Sequence, residues 1–324
     1  MKIHYDHQWN RDHPLIRPLL STPPHLLAQV PGPLVPLLYS VGAYEGSGQQ
    51  VYCLKRPQQD LFSDMDLGEM GIGELQFPYP GFYIAFEECP WTMRASHSTI
   101  TGGFVEHRVQ GAYVSATPHA PGTPFPIRTA PGEGEGVSVV VWASHPKAGD
   151  LDDVLLALPV PTSQAGGTIE DYLLGRTPNN DPSISEEDGK HNFEVGLKVL
   201  RVVLGMVAYL QTREAEIKEY NPDSERRVLQ VKAQKGGSKG ARAARRLTRL
   251  PKTRVQYVMP SLTRYRRPSV QSHWRSAHIR MVWVGPRTDA DGNPQKGTHR
   301  EPRFIPATVV NADGATTPRT YTFG

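Results

Sequence analysis

The sequence predicts an α+β fold: a mixed or antiparallel sheet, fed by strands from both ends of the chain, packed on a buried apolar helix at about 193–210. Three observations predict it. Val137-Ser138-Val139-Val140-Val141-Trp142 is a nearly continuous β-branched run of the kind found at sheet centres. Phe193, Leu197, Leu200, Leu204 and Val207 recur at helical spacing, and Val199, Val203, Met206 and Leu210 widen that stripe until only Lys198 and Arg201 mark a wet side. Strand-like alternation then returns near the carboxyl end, at 254–259, 278–284 and 303–310.

In chain order, the first 40 residues are apolar and rich in proline. They permit one short helix near Leu19 to Val30, interrupted by Pro23-Pro24, and then irregular chain through Pro31 to Leu38. Pro78-Tyr79-Pro80-Gly81 is a turn that launches the strand Phe82 to Phe86. Gly103–His107 and Gly111–Ser115 pair as a hairpin. The loop Thr117 to Gly136 carries Gly132-Glu133-Gly134-Glu135-Gly136, but its glutamates would repel phosphate and no lysine follows, which excludes a nucleotide loop. Leu151–Leu158 and Thr168–Leu174 read as short helices, with Asp150, Asp152 and Asp153 as an N-terminal cap. The polar stretch Asp188 to Asn192 leads into the long apolar helix. Lys235-Gly236-Gly237-Ser238-Lys239-Gly240 reads as flexible, and Ala241–Leu250 as two to three helical turns ended before Pro251. In the last strands Val255, Tyr257 and Met259 share a face. Ile279, Met281 and Trp283 point inward, with His278 and Arg280 opposite.

A 324-residue chain with 38 % apolar side chains, 13 Tyr, 9 Phe and 5 Trp supports a sizeable core, and its 30 prolines call for long loops. Cys53 and Cys89, the only cysteines, lack a metal or disulfide spacing and read as buried thiols in a reducing cytosol. The start, with His4, Asp6 and His7, is no secretory signal, and charges interrupt the most apolar run; a soluble cytoplasmic protein without membrane contact is expected.

Charge is segregated along the chain. Residues 226–287 hold 17 Lys and Arg and no Asp or Glu, whereas residues 1–225 hold 15 basic and 28 acidic side chains. Such a layout bears on partners rather than on fold. Tyr257, Tyr265, His273, Trp274, His278 and Trp283 lie among the cations, a mixture suited to RNA, where cations meet phosphate and rings stack on unpaired bases. The division this suggests is an acidic α+β body, 1–225, and a basic region, 226–324. The RNA- or ribosome-binding candidates are Lys235, Lys239, Arg242, Arg245, Arg246 and Arg249, with Trp274, His278 and Arg280 as a binding face.

Catalytic signals are weak. No Walker loop, nucleophile elbow or spaced metal-ligand set occurs, so neither metal nor cofactor is expected. His273 and His278, with Arg275 to hold phosphate, could serve as acid and base in RNA cleavage if a turn brought them together. The alternative is a binding protein that is not an enzyme.

His273-Trp274-Arg275-Ser276-Ala277-His278-Ile279-Arg280, followed by a Gly/Pro-containing insert and Arg303 to Gly314, resembles the end of the second type V-A anti-CRISPR family. That family closes with a His-x-Arg-Arg-Gly-His motif, a basic-aromatic-x-Pro strand and a short tail. Phe77 to Ile84 and the apolar helix ending at Tyr209-Leu210 echo it upstream, in the same order. Ser276-Ala277 stands here for the family's Arg-Gly, removing one cation from the motif, and the insert between Gly285 and Arg303 is this chain's own. The resemblance implies a factor carried by phages and plasmids, acting in the bacterial cytoplasm. Such factors recognise the nascent N-terminus of the type V-A nuclease, and the nuclease mRNA is then lost, with a host nuclease as the degrading partner. Implied partners are therefore that nascent polypeptide and the ribosome or mRNA. Direct endoribonuclease action through His273 and His278 is the competing expectation.

Overall fold

A computed structural model describes residues 34–95, 105–117, 136–144, 154–161, 167–175, 185–247, 255–260, 272–286, 297, 299–306 and 308–311. Eight strands form one mixed sheet: β1 (Val51–Leu54), β2 (Gly81–Phe86), β3 (Thr92–Ala95), β4 (Val105–Thr117), β5 (Gly136–Ser144), β6 (Val154–Pro161), β7 (Ile217–Tyr220) and β8 (Val255–Val258). Their order is β6-β5-β4-β2-β1-β8-β7, with β3 also on β4. β1 runs parallel to β2 and β8, and the other pairings are antiparallel. The helices are α1 (Leu34–Gly46), α2 (Arg56–Ser63), α3 (Ile169–Leu174), α4 (Glu186–Leu210), α5 (Asp223–Gln234) and α6 (Gly237–Leu247). Two further two-stranded sheets pair β9 (Ser272–Arg275) with β12 (Thr308–Asn311), and β10 (His278–Val284) with β11 (His299–Ile305). Strands from the front and the back of the sequence thus meet in one mixed sheet, with β8 lying between β1 and β7.

Both faces of the sheet are apolar, and the two-residue period of each strand sorts its side chains between them. Tyr52 and Leu54 of β1 join Val137, Val139 and Val141 of β5 in a cluster with Val199, Val203, Met206 and Val207 of α4. Val51 and Cys53 join Tyr83, Tyr113, Val140 and Trp142 in a second cluster with Leu37, Val41 and Tyr44 of α1. There the Trp142 indole donates to the Tyr83 hydroxyl at 2.9 Å, and burial raises the Tyr83 and Tyr113 phenols well above their usual range. Ser185 caps α4, accepting from the Asp188 amide at 3.2 Å, and Glu186, Glu187 and Asp188 meet the positive end of the helix dipole. One turn on, the buried Asn192 acts as a surrogate strand partner. Its Oδ1 accepts from the Arg94 amide at 2.7 Å and its Nδ2 donates to the Arg94 carbonyl at 2.8 Å, tying α4 to β3. No described helix is long and apolar enough to cross a membrane.

Several expectations are corrected. The stretch 34–38 is not irregular chain: α1 starts at Leu34, with Pro36 in the first turn, where the missing N–H is harmless. The stretch 105–117 is one strand, not a hairpin; a bulge between Val109 and Gly111 absorbs the irregularity, and a Cβ at Gly111 would overlap the Tyr83 hydroxyl and the Ile84 carbonyl. Residues 154–158 of the predicted helix at 151–158 instead open β6, antiparallel to β5; Pro159 and Pro161, with no N–H to donate, suit its place at the edge of the sheet. The last predicted strand, 303–310, divides at Pro306 into β11 and β12 in separate sheets. The helix near Leu19 to Val30, the glycine-rich stretch 132–135 and Asp150, Asp152 and Asp153 lie outside the described residues.

Candidate nucleic-acid interface

The basic segment opens as a helical hairpin. α5 carries Asp223 and Glu225 in its first turn and Lys232 in its last, the polarity that a helix dipole favours. Gly236 and Gly237 both take positive φ, 66° and 69°, a conformation that glycine adopts without steric cost, and so reverse the chain within two residues. Gly240 lets the helices approach: a Cβ there would lie 3.1 Å from the Ala233 carbonyl. The stretch Lys235–Gly240, expected to be flexible, is therefore a tight interhelical turn followed by the first turn of α6. Leu229 and Ala243 are buried at the helix contact.

Cations cover the outside of this hairpin. Arg227, Lys232, Lys235, Lys239, Arg242, Arg245 and Arg246 are all exposed. Within the hairpin Arg226 pairs with Asp223 at 3.0 Å and Arg246 with Glu225 at 2.6 Å. Glu225 also fixes the hairpin to the sheet, accepting from the Tyr220 hydroxyl of β7 at 2.6 Å. Burial, and then the Glu225 carboxylate, push that phenol up to about 12. Beyond this root, α5 and α6 pack extensively only on each other among the described elements. Arg249 lies outside the described residues.

The second group of candidates is placed elsewhere. Trp274 sits in β9 opposite Val309 of β12, His273 opposite Val310 and Arg275 opposite Thr308. His278 opens β10 opposite Ile305, its Nδ1 3.3 Å from the Ser276 carbonyl oxygen, and Arg280 is exposed opposite Arg303. His273 and His278 belong to different two-stranded sheets. Ile279 and Phe304 turn into the core, where Phe304 meets Tyr209 of α4 edge-on at 5.1 Å. Asp66 bridges to this strand, its amide donating to the Ala277 carbonyl at 3.0 Å and its carbonyl accepting from the Ile279 amide at 3.2 Å. Trp283, expected inward, is 45 % exposed, because the inward face of β10 runs past the end of the core beneath it.

The two groups differ electrically. On β11, Arg303 pairs with Glu214 at 2.9 Å and Arg300 with Glu74 at 3.8 Å, while Arg213 of the preceding body pairs with Glu301 at 2.8 Å. The His299 hydrogen bond and then Arg213 hold the Glu301 carboxyl below its ordinary range. The β11 arginines thus answer acids of the body, whereas Arg226 and Arg246 of the hairpin answer acids within it. Neither group packs extensively on the other among the described elements. Among the described residues, no cluster of three or more His, Cys, Asp or Glu could hold a metal. Sequence reasoning missed α5 itself, with Arg227 and Lys232. The available signal was its acidic first turn followed by Lys232.

Comparison with known proteins bears on this arrangement. A family model described as AcrVA2-like, anti-CRISPR type V subtype A2 family, matches residues 56–312. The solved structure "Crystal structure of AcrVA2" is similar at 11 % identity, with 89 % of this chain and 83 % of that chain covered and a TM-score of 0.42. No curated protein sequence matches. The family match spans β2 to β8 of the sheet, α4, the cationic hairpin and the β9–β12 lobe, and the chain belongs to the AcrVA2-like family of anti-CRISPR proteins directed at type V-A systems.

Proposed function

We propose that this anti-CRISPR protein lowers synthesis of the type V-A nuclease. It reads the nuclease's N-terminal segment as it leaves the ribosome, and loss of the encoding mRNA follows. The acidic body is the peptide reader, and the α5–α6 hairpin is the contact to ribosomal or messenger RNA. The observation that carries the RNA contact is the hairpin: exposed Arg227, Lys235, Lys239, Arg242 and Arg245 on a projection rooted through Tyr220 and Glu225. Cations at one-turn intervals on α6, such as Lys239, Arg242 and Arg246, lie roughly 5–6 Å apart, a spacing on the scale of successive phosphates. A translating ribosome presents peptide and RNA together, which suits a chain whose charge is split between an acidic and a basic part.

The test is co-sedimentation with translating ribosomes. Wild-type protein pellets with them at low salt. The fourfold variant Lys235→Glu, Lys239→Glu, Arg242→Glu, Arg245→Glu stays in the supernatant and no longer lowers nuclease mRNA. Unchanged pelleting of the variant at moderate salt removes the hairpin from the account.

A further inference from the structure

We infer that the RNA met by the α5–α6 hairpin is base-paired: the surface fits the A-form stems of ribosomal RNA, not the single-stranded message. This rests on the RNA contact proposed above and names its ligand. The first ground is the sorting of charge between the two sides of the hairpin. At about 3.6 residues per turn, Lys239, Arg242, Arg245 and Arg246 fall on one flank of α6, to one side of the buried Gly240 and Ala243, and Ala241 and Ala244 fall on the other. On α5, Glu225, Val228, Val231 and Lys232 share a flank, and Arg227, Gln230 and Gln234 lie across from them. The Arg246–Glu225 ion pair sets those two flanks side by side. One face of the hairpin therefore collects Lys232 and the four α6 cations against one acid, Glu225, which Arg246 answers. The opposite face holds Arg227 among amides and alanines.

Density of charge is the second ground. Lys239 and Arg246 bracket the α6 cations within roughly 11 Å of helix axis. A duplex presents about twice as many phosphates per unit length as either of its strands, and holds them in place. Cations fixed on a helix meet such an array as it stands, whereas a single strand must give up conformational freedom to follow them.

The third ground is side-chain chemistry. Residues 223–247 contain no Phe, Tyr, Trp or His. Single strands gain much of their binding from bases stacked on rings, and the apolar side chains on the cationic face, Val228 and Val231, give a base no ring. Trp283, exposed at 45 %, lies on β10, and neither helix packs extensively on that lobe among the described elements. Base-paired RNA hides its bases and is recognised through phosphates, 2′-hydroxyls and shape, which lysines and arginines on a rigid projection can meet. Phosphate contacts position a protein and carry no sequence information. The hairpin would then hold the ribosome whatever message it carries, and the choice of message falls to the peptide reader.

The experiment uses the full chain and two fluorescein-labelled RNAs read by anisotropy. One is a perfect duplex of about 16 base pairs. The other is one of its strands, rich in uridine and cytidine so that it stays unpaired. Co-sedimentation with vacant ribosomes, stripped of message and nascent chain, is measured alongside. The duplex should bind at least about tenfold tighter than the strand at equal salt. The fourfold hairpin variant, checked by circular dichroism, should lose that difference and stay in the supernatant of vacant ribosomes, with which the wild type pellets. Trp283→Ala should leave duplex affinity within about twofold. A strand bound as tightly as the duplex overturns the inference while leaving an RNA contact at the hairpin. Duplex binding that is lost in Trp283→Ala overturns it as well, since the lobe would then be the surface that meets the stem. So does pelleting with translating but not with vacant ribosomes, which assigns the contact to message or nascent chain. If the fourfold variant binds both RNAs as the wild type does, the inference falls together with the RNA contact on which it rests.

Discussion

Salt dependence gives the cationic hairpin a quantitative test. Five exposed cations, Arg227, Lys235, Lys239, Arg242 and Arg245, lie on α5, α6 and the turn between them. If each neutralises one phosphate of single-stranded RNA, the slope of log Kobs against log salt is about −3.5, and affinity falls roughly a hundredfold between 50 and 200 mM salt. Reversing Lys235, Lys239, Arg242 and Arg245 to glutamate leaves one of the five, so the slope should collapse to about −1 or less. All four are exposed, and a circular dichroism spectrum matching the wild type checks that the hairpin is still folded in the variant. The assay is fluorescence anisotropy of a labelled oligoribonucleotide across a salt series. A variant that keeps a slope near −3.5 would show that phosphates are met elsewhere, and the β10–β11 lobe with Arg280 would be the next surface to test.

Three other expectations concern the scaffold. Asn192→Ala strands the amide and carbonyl of Arg94 and should cost about 1–3 kcal/mol in urea unfolding; a change below the error of the measurement would mean that water replaces the bridge. Gly111→Ala drives a methyl into the Tyr83 hydroxyl and the Ile84 carbonyl at the bulge of β4, and should lower the melting temperature more than Gly42→Ala on α1, where a Cβ would meet nothing within 4 Å. Glu87 has its carboxyl pKa raised, chiefly by burial, so the folded state binds the proton more tightly than the unfolded one. Its stabilising contribution is present at pH below the ordinary carboxyl range and is lost as pH rises through the raised value. Glu87→Gln should accordingly raise stability near neutral pH and gain little in acid; a gain that does not vary with pH would contradict this reading.

Much of the scaffold was legible because its signals were long. The stripe from Phe193 to Leu210 could be nothing but a helix, and Val137 to Trp142 nothing but a strand buried on both faces. Short segments failed where tertiary context outweighed local preference. Leu151 to Leu158 looks helical by leucine content, yet residues 154–158 pair with β5 as part of the edge strand β6, a long-range contact that local composition does not announce. Gly236-Gly237 looked like a linker because composition does not distinguish a flexible glycine pair from one held at positive φ between two helices. That error matters for the candidate site, since the two helices turn scattered lysines and arginines into one surface. The sequence also grouped Trp274, His278 and Arg280 with the lysine-rich stretch because they share a sign of charge. In the fold they begin a separate lobe, whose β11 arginines answer Glu214 and Glu74. Trp283 misled for a related reason: strand alternation assigns a face, but whether that face is covered depends on where the core ends.

The most direct test of the proposed function separates peptide from message. Two reporter mRNAs are needed that differ by one nucleotide inserted after the start codon and one deleted downstream, so that the RNA is nearly the same while the N-terminal peptide of the nuclease is read in one and lost in the other. Reporter mRNA is then measured in cells making wild-type protein or the fourfold hairpin variant. The account predicts mRNA loss for the in-frame reporter with wild-type protein, and stable mRNA in the other three combinations. Equal loss of both reporters would contradict it, because the protein would then be reading RNA and not the emerging chain.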